Sequence, residues 1–373
     1  SPVELAVPQQ NHLAEWGDEN GDGHLDLLVS GLRASGLYET YLLRADGHGG
    51  FVEVPSNLPT GGYRWAQVRA AWADLNHDGL LDLAFSSWNH SQDADSFAGI
   101  FLNQGDGQFE SHELELPVEI EQLEWLDGDN DGRQDLLVRT PDPSGGSRLQ
   151  VYRQHDDFRF YPARSAITIE GLQDAPEFTD VDEDGMVDLL LARYESGSWV
   201  VEYWRNSGEG EFQVVSSRNF ADGNHARFGD FNEDGRPDLA IYRHSGSGEI
   251  EISSLDAEGR WERVASLSAP NMNAFDWGDF DGDGLLDIMV TRQGSNGKTS
   301  MAVHRQMKSL FGRRFGDADT VVLSTNYMET YNMSFLDIEG DGDADAFVNG
   351  LLLVNHSVVT ERAAVTAPIR LAS

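Results

Sequence analysis

The chain has 373 residues, 64 acidic and 26 basic side chains, a formal net charge of −38 and no cysteine. This excess of negative charge argues against binding to nucleic acid or to anionic membranes. The absence of cysteine excludes disulfide cross-links, and no apolar stretch is long enough to cross a membrane.

The first recognisable element is an acidic loop within residues 16–29, WGDENGDGHLDLLV. Its polar residues at positions 1, 3, 5 and 9 are Asp18, Asn20, Asp22 and Asp26. Calcium takes about six to eight oxygen ligands, and alternate side chains of a tight loop converge on one centre. Glycine at position 6, here Gly23, permits the sharp turn that returns position 9 to that centre. The pattern predicts a calcium loop at residues 18–26.

The same pattern returns six more times along the chain. The predicted loops span residues 74–82, 127–135, 180–188, 230–238, 279–287 and 337–345. Their candidate ligands are Asp74, Asn76, Asp78 and Asp82; Asp127, Asp129, Asp131 and Asp135; Asp180, Asp182, Asp184 and Asp188; Asp230, Asn232, Asp234 and Asp238; Asp279, Asp281, Asp283 and Asp287; and Asp337, Glu339, Asp341 and Asp345. Repeats of this period that fill the whole chain predict one domain over residues 1–373, with up to seven Ca²⁺.

An EF-hand is excluded because position 12 holds an apolar or aromatic residue, such as Val29 or Phe85, where an EF-hand needs a bidentate Glu. A short apolar run follows each loop and predicts a buried strand. An aromatic residue precedes each loop by two positions and ends a predicted first strand: Trp16, Trp72, Trp125, Phe178, Phe228, Trp277 and Phe335. The predicted fourth strands begin on Phe51, Phe109, Phe158, Phe212, Trp261 and, less clearly, Phe315.

Four antiparallel strands in each of seven units predict an all-β fold, a seven-bladed β-propeller with a calcium loop between the first two strands of each blade. The sequence leaves open which end of the chain completes the last blade. Residues 2–7, PVELAV, and residues 357–369 both have the composition of a fourth strand.

The aromatic-x-D-x-[DN]-x-D-G-x-x-D-L pattern, followed by a strand and N-x-G-x-G-x-F, resembles the FG-GAP/VCBS repeat family. This resemblance covers all seven units. It implies a calcium-binding propeller like the head of integrin α subunits and like several secreted fungal and bacterial lectins and polysaccharide lyases. The seventh loop departs from the pattern at Glu339, whose longer side chain weakens the expected site. No catalytic motif of the family is present, so the resemblance implies no catalytic residue.

Calcium in these loops is expected to be structural. Extracellular calcium modules bind with a Kd of about 10⁻⁴–10⁻³ M, so the sites predict a secreted, periplasmic or cell-surface protein. The expected partner is a glycan or a protein, without nucleic acid or membrane insertion. We expect a monomer or a component of a larger surface assembly.

The loops between second and third strands should form the face opposite the calcium loops. Arginines recur there just past the second strand, at Arg139, Arg193, Arg243 and Arg292. Guanidinium groups suit carboxylates or sulfates of a ligand, although neighbouring acids such as Glu195 or Glu249 are alternative partners. Sugar-binding sites commonly contain aromatic rings, and the second repeat offers Trp65, Trp88 and His90 as ligand contacts. The alternative is that these side chains only pack the long loop of this repeat against the fold.

Three functions remain open from the sequence. A binding or adhesion module is favoured because no catalytic set is evident. The alternative is a polysaccharide lyase acting on an acidic glycan, which needs a group that neutralises a uronate and a base. Arg193 with Tyr194, or Arg243 with His244, would supply these groups. A scaffold within a larger assembly is the third possibility.

Overall fold

A computed structural model describes residues 11–32, 38–47, 50–59, 67–88, 97–117, 119–143, 145–155, 158–164, 166–173, 176–208, 211–246, 248–293, 298–309, 312–316, 319–326, 333–336, 345–348, 351–353 and 369–370. Within these ranges the elements are 31 β-strands, without an α-helix. The described part of the chain therefore offers no helix long and apolar enough to cross a membrane. The protein folds as two compact units, one mainly of residues 3–170 and the other mainly of residues 171–370.

Three sheets lie in the first unit, and each runs in sequence order. The first contains β1 (Asn11–Gly17), β2 (Asp26–Leu32), β3 (Tyr38–Ala45) and β4 (Phe51–Val54). The second contains β5 (Gln67–Ala73), β6 (Asp82–Trp88), β7 (Phe97–Asn103) and β8 (Phe109–Glu113). The third contains β9 (Gln122–Leu126), β10 (Asp135–Pro141), β11 (Ser147–His155), β12 (Arg159–Pro162) and β13 (Ile167–Ile169).

The second unit carries the remaining sheets. The fourth and fifth contain β14 (Glu177–Thr179), β15 (Asp188–Glu195), β16 (Ser198–Asn206) and β17 (Phe212–Phe220), then β18 (Gly223–Gly229), β19 (Asp238–Arg243), β20 (Glu249–Leu255) and β21 (Trp261–Ser268). The sixth contains β22 (Met272–Gly278), β23 (Asp287–Gln293), β24 (Lys298–His304) and β27 (Asp319–Asn326), and β25 (Gln306–Ser309) pairs with β26 (Gly312–Phe315) as a separate hairpin. The last contains β28 (Met333–Leu336), β29 (Asp345–Val348), β30 (Leu351–Leu353) and β31 (Ile369–Arg370).

The all-β propeller prediction is confirmed, but the prediction of seven four-stranded blades is wrong. The described residues form six four-stranded blades. The remaining sheets are the five-stranded third sheet, in which β12 and β13 both pair with β11, and the two-stranded β25–β26 hairpin. β12 ends at Pro162, Ala163 still donates to Val151 at 2.7 Å, and the chain then continues along β11, where β13 pairs with residues 147–149.

The sixth repeat departs from the expected order of strands. Phe315, which the sequence offered as the start of a fourth strand, ends β26 and packs against Phe231 with ring centroids 5.6 Å apart. The fourth strand of this sheet is β27, which pairs with β24. An insertion after the third strand thus forms its own hairpin before the sheet is completed.

The C-terminal segment completes the last sheet, since Ile369 and Arg370 pair with Leu352 and Leu351. Residues 2–7, the other candidate, lie outside the described residues. This resolves the choice that the sequence left open.

The second strands are buried along nearly their whole length because other side chains of the protein pack against both faces of each blade. Leu27, Leu28 and Val29 on β2 are all at most 1 % exposed. One layer of the first unit joins Leu28 and Leu42 of the first blade to residues of the second blade such as Phe85. Apolar runs without polar alternation are therefore the signature of these strands.

The first strands of successive blades lie side by side, in the order β1, β5 and β9 in one unit and β18, β22 and β28 in the other. Aromatic residues at the ends of these strands help to join them. The indole N–H of Trp125 donates to the carbonyl oxygen of Ala71 on the neighbouring first strand, at 2.9 Å. The aromatic positions that precede the loops thus connect blades as well as filling the core.

Candidate functional site

Six acidic loops lie within the described residues, and each connects the first strand of a sheet to the second. The aspartate at position 1 organises every one of them. In the first loop, Asp18 accepts the amide protons of Asp22 at 3.0 Å and Gly23 at 2.8 Å. The equivalent pairs in the other five loops measure 2.8–3.1 Å. The aspartate at position 5 accepts the amide of position 7, as Asp184 does from Met186 at 2.9 Å.

Two residues of every loop adopt a left-handed backbone. The glycines at position 6 have φ between 82° and 89°, and a Cβ added at Gly23 or Gly284 would have nothing within 4 Å of it. Glycine is therefore needed for conformation and not for space. Position 4 also has positive φ, and non-glycine residues such as His77 (59°) and Glu183 (59°) stand there. The sequence pattern gave no warning of this second turn position.

The aspartate at position 9 is the first residue of each second strand and is fully buried, with at most 1 % exposure in all seven sheets. In the sixth loop Asp287 accepts amide protons from Phe280 at 3.0 Å and from Gln306, just past the third strand, at 2.8 Å. Asp26, Asp82 and Asp135 make the same paired contacts. Position 9 thus anchors its loop to the third strand of its own blade.

Burial sets the proton affinity of these anchors. It raises the pKa of Asp287 to about 7 and the pKa of Asp26 to about 6, while backbone hydrogen bonds oppose the rise. Burial likewise raises the pKa of Asp135 and of Asp238 to about 6. Neighbouring loop carboxylates push in the same direction as burial. Without a cation, each loop therefore holds more negative charge than its surroundings favour.

Three loops bring carboxylate oxygens together closely enough to hold a metal ion. The ligand atoms of each group lie within 4.8 Å of one another: Asp127, Asp129 and Asp131; Asp180, Asp182 and Asp188; and Asp279, Asp281 and Asp287. Position 3 is an aspartate in all three. Its Oδ1 is buried and makes no hydrogen bond of normal geometry at Asp129, Asp182 and Asp281.

An unpaired buried carboxylate oxygen is costly, and hard cations such as Ca²⁺ prefer ligands of this kind. The residues present therefore fit a calcium ion. Ligands from positions 1, 3, 5 and 9 would hold it, and it would supply positive charge that ties the turn together. Asp238 in the fifth loop also has a buried Oδ1 of this kind.

The other three loops carry asparagine at position 3, and this side chain forms hydrogen bonds within the loop. Asn20 accepts the amide proton of Asp22 at 2.8 Å and donates its own Nδ2 to the Asp22 carboxylate at 3.0 Å. Asn76 and Asn232 make the same two contacts with the aspartate at position 5. The seventh predicted loop, with Asp337, Glu339 and Asp341, lies outside the described residues.

Buried side-chain amides at or just past the end of the third strand connect a loop to the neighbouring blade. Asn103 donates to the carbonyl oxygen of Glu19, at position 2 of the preceding loop, at 2.7 Å. Asn206 donates in the same way to Gly128 at 2.9 Å, and Gln306 donates to Phe231 at 2.8 Å. Sequence reasoning read this position only as part of a turn. The recurrence of Asn or Gln there was the available signal.

Also missed in the sequence analysis was an arginine that directly precedes the Asn or Gln at the end of the third strand. Arg153, Arg205 and Arg305 stand at the same register on β11, β16 and just past β24. They pair with the position-3 carboxylates of their own loops, Asp129 at 3.0 Å, Asp182 at 2.5 Å and Asp281 at 3.5 Å. The signal was present in the sequence as R-[QN] after an apolar strand.

The four arginines expected to form a ligand rim lie at the ends of second strands, and three of them form ion pairs within the protein. Arg193 pairs with Glu195 at 3.0 Å and Glu202 at 2.9 Å. Arg243 pairs with Asp222 and Glu251, both at 2.9 Å.

Two further rim arginines and the aromatic candidates complete this set. Arg139 pairs with Glu121 at 3.0 Å, and Arg292 is half-buried on β23. Trp88 is half-buried at the end of β6, and Trp65 and His90 lie outside the described residues.

The comparisons with known proteins address the repeats. The FG-GAP-like repeat family matches residues 18–85, 127–191, 180–241 and 230–290, which is more than half of the chain. A solved structure of a putative 6-phosphogluconolactonase from Bacteroides uniformis is similar with a TM-score of 0.51 and 13 % identity, covering 88 % of this chain and 93 % of that chain. At that identity the likeness shows the fold alone. No curated protein sequence matches this chain.

Proposed function

Because this chain belongs to the FG-GAP-like repeat family, we propose that it is a calcium-stabilised β-propeller that acts outside the cytoplasm as a binding or adhesion module for a glycan or a protein. The observation that carries the calcium part is the set of three carboxylate groups with ligand atoms within 4.8 Å, each with a buried oxygen that lacks a hydrogen bond of normal geometry. Sites of this type in extracellular modules bind calcium at about 0.1–1 mM, which favours a secreted, periplasmic or surface location.

The difference between the two ends of the blades supports the proposal that the protein binds a glycan or a protein. The acidic loops at one end are held by regular hydrogen bonds and serve the fold. The connections at the other end differ in length and content between repeats, from the two residues between β15 and β16 to the eight between β6 and β7. Variable connections on a rigid scaffold are where proteins usually place ligand contacts.

Tyr194 and the ion pair beside it are the best described candidates on that variable end. Tyr194 is 49 % exposed at the end of β15, and its amide donates to Gly171 at 2.7 Å, which fixes the backbone. Arg193 beside it is held by two carboxylates. Successive side chains of a strand point to opposite faces, so the ring and the guanidinium are separate contacts, and the exposed ring suits a sugar face.

The same ion pairs weaken the lyase alternative. A lyase needs an arginine or an ion free to neutralise a uronate carboxylate. Arg193 and Arg243, its two candidates, each already contact two protein carboxylates. A substrate carboxylate would have to displace them, so we favour binding without chemistry.

The test incubates the protein, in 2 mM calcium, with immobilised neutral and acidic polysaccharides, while ultraviolet absorbance reports unsaturated product. Retention without new absorbance is expected, and Tyr194→Ala should weaken it while the exposed Tyr161→Ala, on the outer strand β12, should not. Rising absorbance would replace binding by lyase activity. Failure to retain any glycan, together with failure of surface proteins to bind, would contradict the proposal.

A further inference from the structure

The loops fall into two classes that differ in a coordinated way at two positions far apart in sequence. Where position 3 is Asp, the residue before the blade's third-strand anchor is Arg: Arg153, Arg205 and Arg305. Where position 3 is Asn, no described arginine pairs with the position-3 side chain, although Arg313 donates to the backbone oxygen of Asn232 at 2.5 Å. Leu102 stands at the arginine position in the second blade and Ser254 in the fifth, where Asn232 donates to the Ser254 hydroxyl at 3.0 Å. In the first blade, Arg44 turns to Glu19, at position 2 of the loop.

The consequence is a similar net charge in the two classes of loop. An Asn loop has three carboxylates at its ligand positions, and an Asp loop has four carboxylates and one arginine. Both classes therefore carry a net charge of about −3 where a cation would bind. Arg133 and Arg236, which pair with the position-5 aspartates, add a positive charge to one loop of each class and do not distinguish them.

The two carboxylate oxygens of the position-3 aspartate have different contacts. In all three Asp loops Oδ2 contacts the arginine, and Oδ1 is buried without a hydrogen bond of normal geometry. Asp182 shows this most clearly, since its side chain is only 10 % exposed. One oxygen of each of these aspartates lies within 4.8 Å of an oxygen from each of two further carboxylates. One oxygen is thus neutralised by the protein, and the other is left for a cation.

We propose that Arg153, Arg205 and Arg305 set the calcium affinity of their loops: each holds a fixed positive charge against the position-3 aspartate, so that an all-Asp loop binds calcium no more tightly than an Asn loop. This rests on the proposed calcium binding. These arginines are positioning residues and act through the aspartate. They also stabilise the calcium-free loop, because they neutralise a carboxylate that would otherwise repel its neighbours.

A loop-specific readout comes from the position-6 glycines. The amide of Gly185 donates to Asp180 in the fourth loop at 2.9 Å, and that of Gly79 donates to Asp74 in the second loop at 3.0 Å. Protein labelled with ¹⁵N at glycine only is titrated with calcium from 1 µM to 10 mM, and each amide resonance gives the binding curve of its own loop. Gly79, in an Asn loop, serves as the internal reference.

Arg205→Gln should raise the calcium affinity read at Gly185 about tenfold, the order expected when a unit charge next to a divalent ion is removed in a solvated setting. The curve at Gly79 should not move. Arg205→Lys keeps the charge and should remain within about twofold of the wild type. Arg260→Gln is the matched control because it removes the same charge from an exposed pair with Asp256, away from the loops. In calcium-free buffer, Arg205→Gln should melt below the wild type.

The outcomes separate the two proposals. If Gly185 and Gly79 both fail to shift in the wild type at 10 mM calcium, calcium binding itself is wrong. If they shift but Arg205→Gln leaves the Gly185 curve unchanged or moves it to higher calcium, the charge-matching inference is overturned. The same holds if Arg205→Lys tightens binding as much as the glutamine does. Should Arg205→Gln not fold, Arg305→Gln read at Gly284 repeats the test in the sixth loop, where that glycine donates to Asp279 at 2.8 Å.

Discussion

Acidifying the calcium-free protein from pH 8 to pH 6 should make it more stable. Burial raises the pKa of Asp287 to about 7 and that of Asp26, Asp135 and Asp238 to about 6, against an ordinary value of 3.8. The folded state therefore binds more protons than the unfolded state between pH 4 and pH 7. Stability is highest where these groups are protonated and falls as the pH rises through the folded pKa values.

The expected size follows from these values. Between pH 8 and pH 6, Asp287 contributes about 1.4 kcal/mol and the other three about 0.4 kcal/mol each, which gives about 2–3 kcal/mol in total. For a chain of this length that corresponds to a rise of roughly 3–4 °C in Tm. Glu15, whose pKa burial raises to about 7, adds to the rise but lies on a first strand away from the loops.

Calcium should abolish the loop contribution because a bound cation holds these carboxylates ionised. The assay is a set of thermal melts at pH 6, 7 and 8, with protein dialysed free of calcium and with 2 mM calcium. The stabilisation by calcium should shrink toward pH 6, and Asp287→Asn should remove about a third of the whole acid-induced gain, because Glu15 also contributes about 1.4 kcal/mol. A Tm of the calcium-free protein that stays level or falls from pH 8 to pH 6 would refute the reasoning.

The remaining predictions concern single residues of the loops. Gly185→Ala should destabilise the protein by about 1–2 kcal/mol, measured by urea unfolding in calcium, because φ is 88° there; no loss would mean that the loop tolerates another conformation. Asn103→Ala should cost about 2–3 kcal/mol, because Asn103 donates to both Glu19 and Leu81 and is buried. Gln104→Ala, at the exposed neighbour, should cost less than about 0.5 kcal/mol, and equal effects would show that the inter-blade contact is not the cause.

The regular part of this fold was predictable because each repeat contains the same local sequence pattern. The loop pattern placed the turn and position 9, and the apolar run that follows placed the buried second strand. Phe51, Phe109, Phe212 and Trp261 begin fourth strands as the aromatic spacing predicted. These features depend on residues within one repeat, and seven copies made them easy to recognise.

The exceptions arise where contacts cross between repeats or where a segment is inserted. β12 and β13 pair with successive stretches of β11, and the β25–β26 hairpin depends on Phe315 reaching Phe231 of the preceding repeat. The amide of Asn206 finds its acceptor 78 residues away, at Gly128. Loop length and residue type do not encode such distant partners, although the recurrence of R-[NQ] marked the position.

The ligand site was the least predictable part. The arginine set was expected at one end of the blades and lies there, but its partners are acids such as Asp222 and Glu202, brought by connections and third strands that the pattern did not register. Trp65 and His90 lie outside the described residues, so their role stays a prediction.

The most direct test of the account compares the Tm in 2 mM calcium with the Tm in excess chelator at pH 7.5. With a Kd near 0.1 mM, each filled loop should stabilise the fold by about 1.8 kcal/mol. The three carboxylate groups alone would give about 5 kcal/mol, which predicts a Tm about 7 °C lower in chelator. A Tm that is the same in calcium and in chelator would contradict the claim that calcium in these loops holds the propeller together.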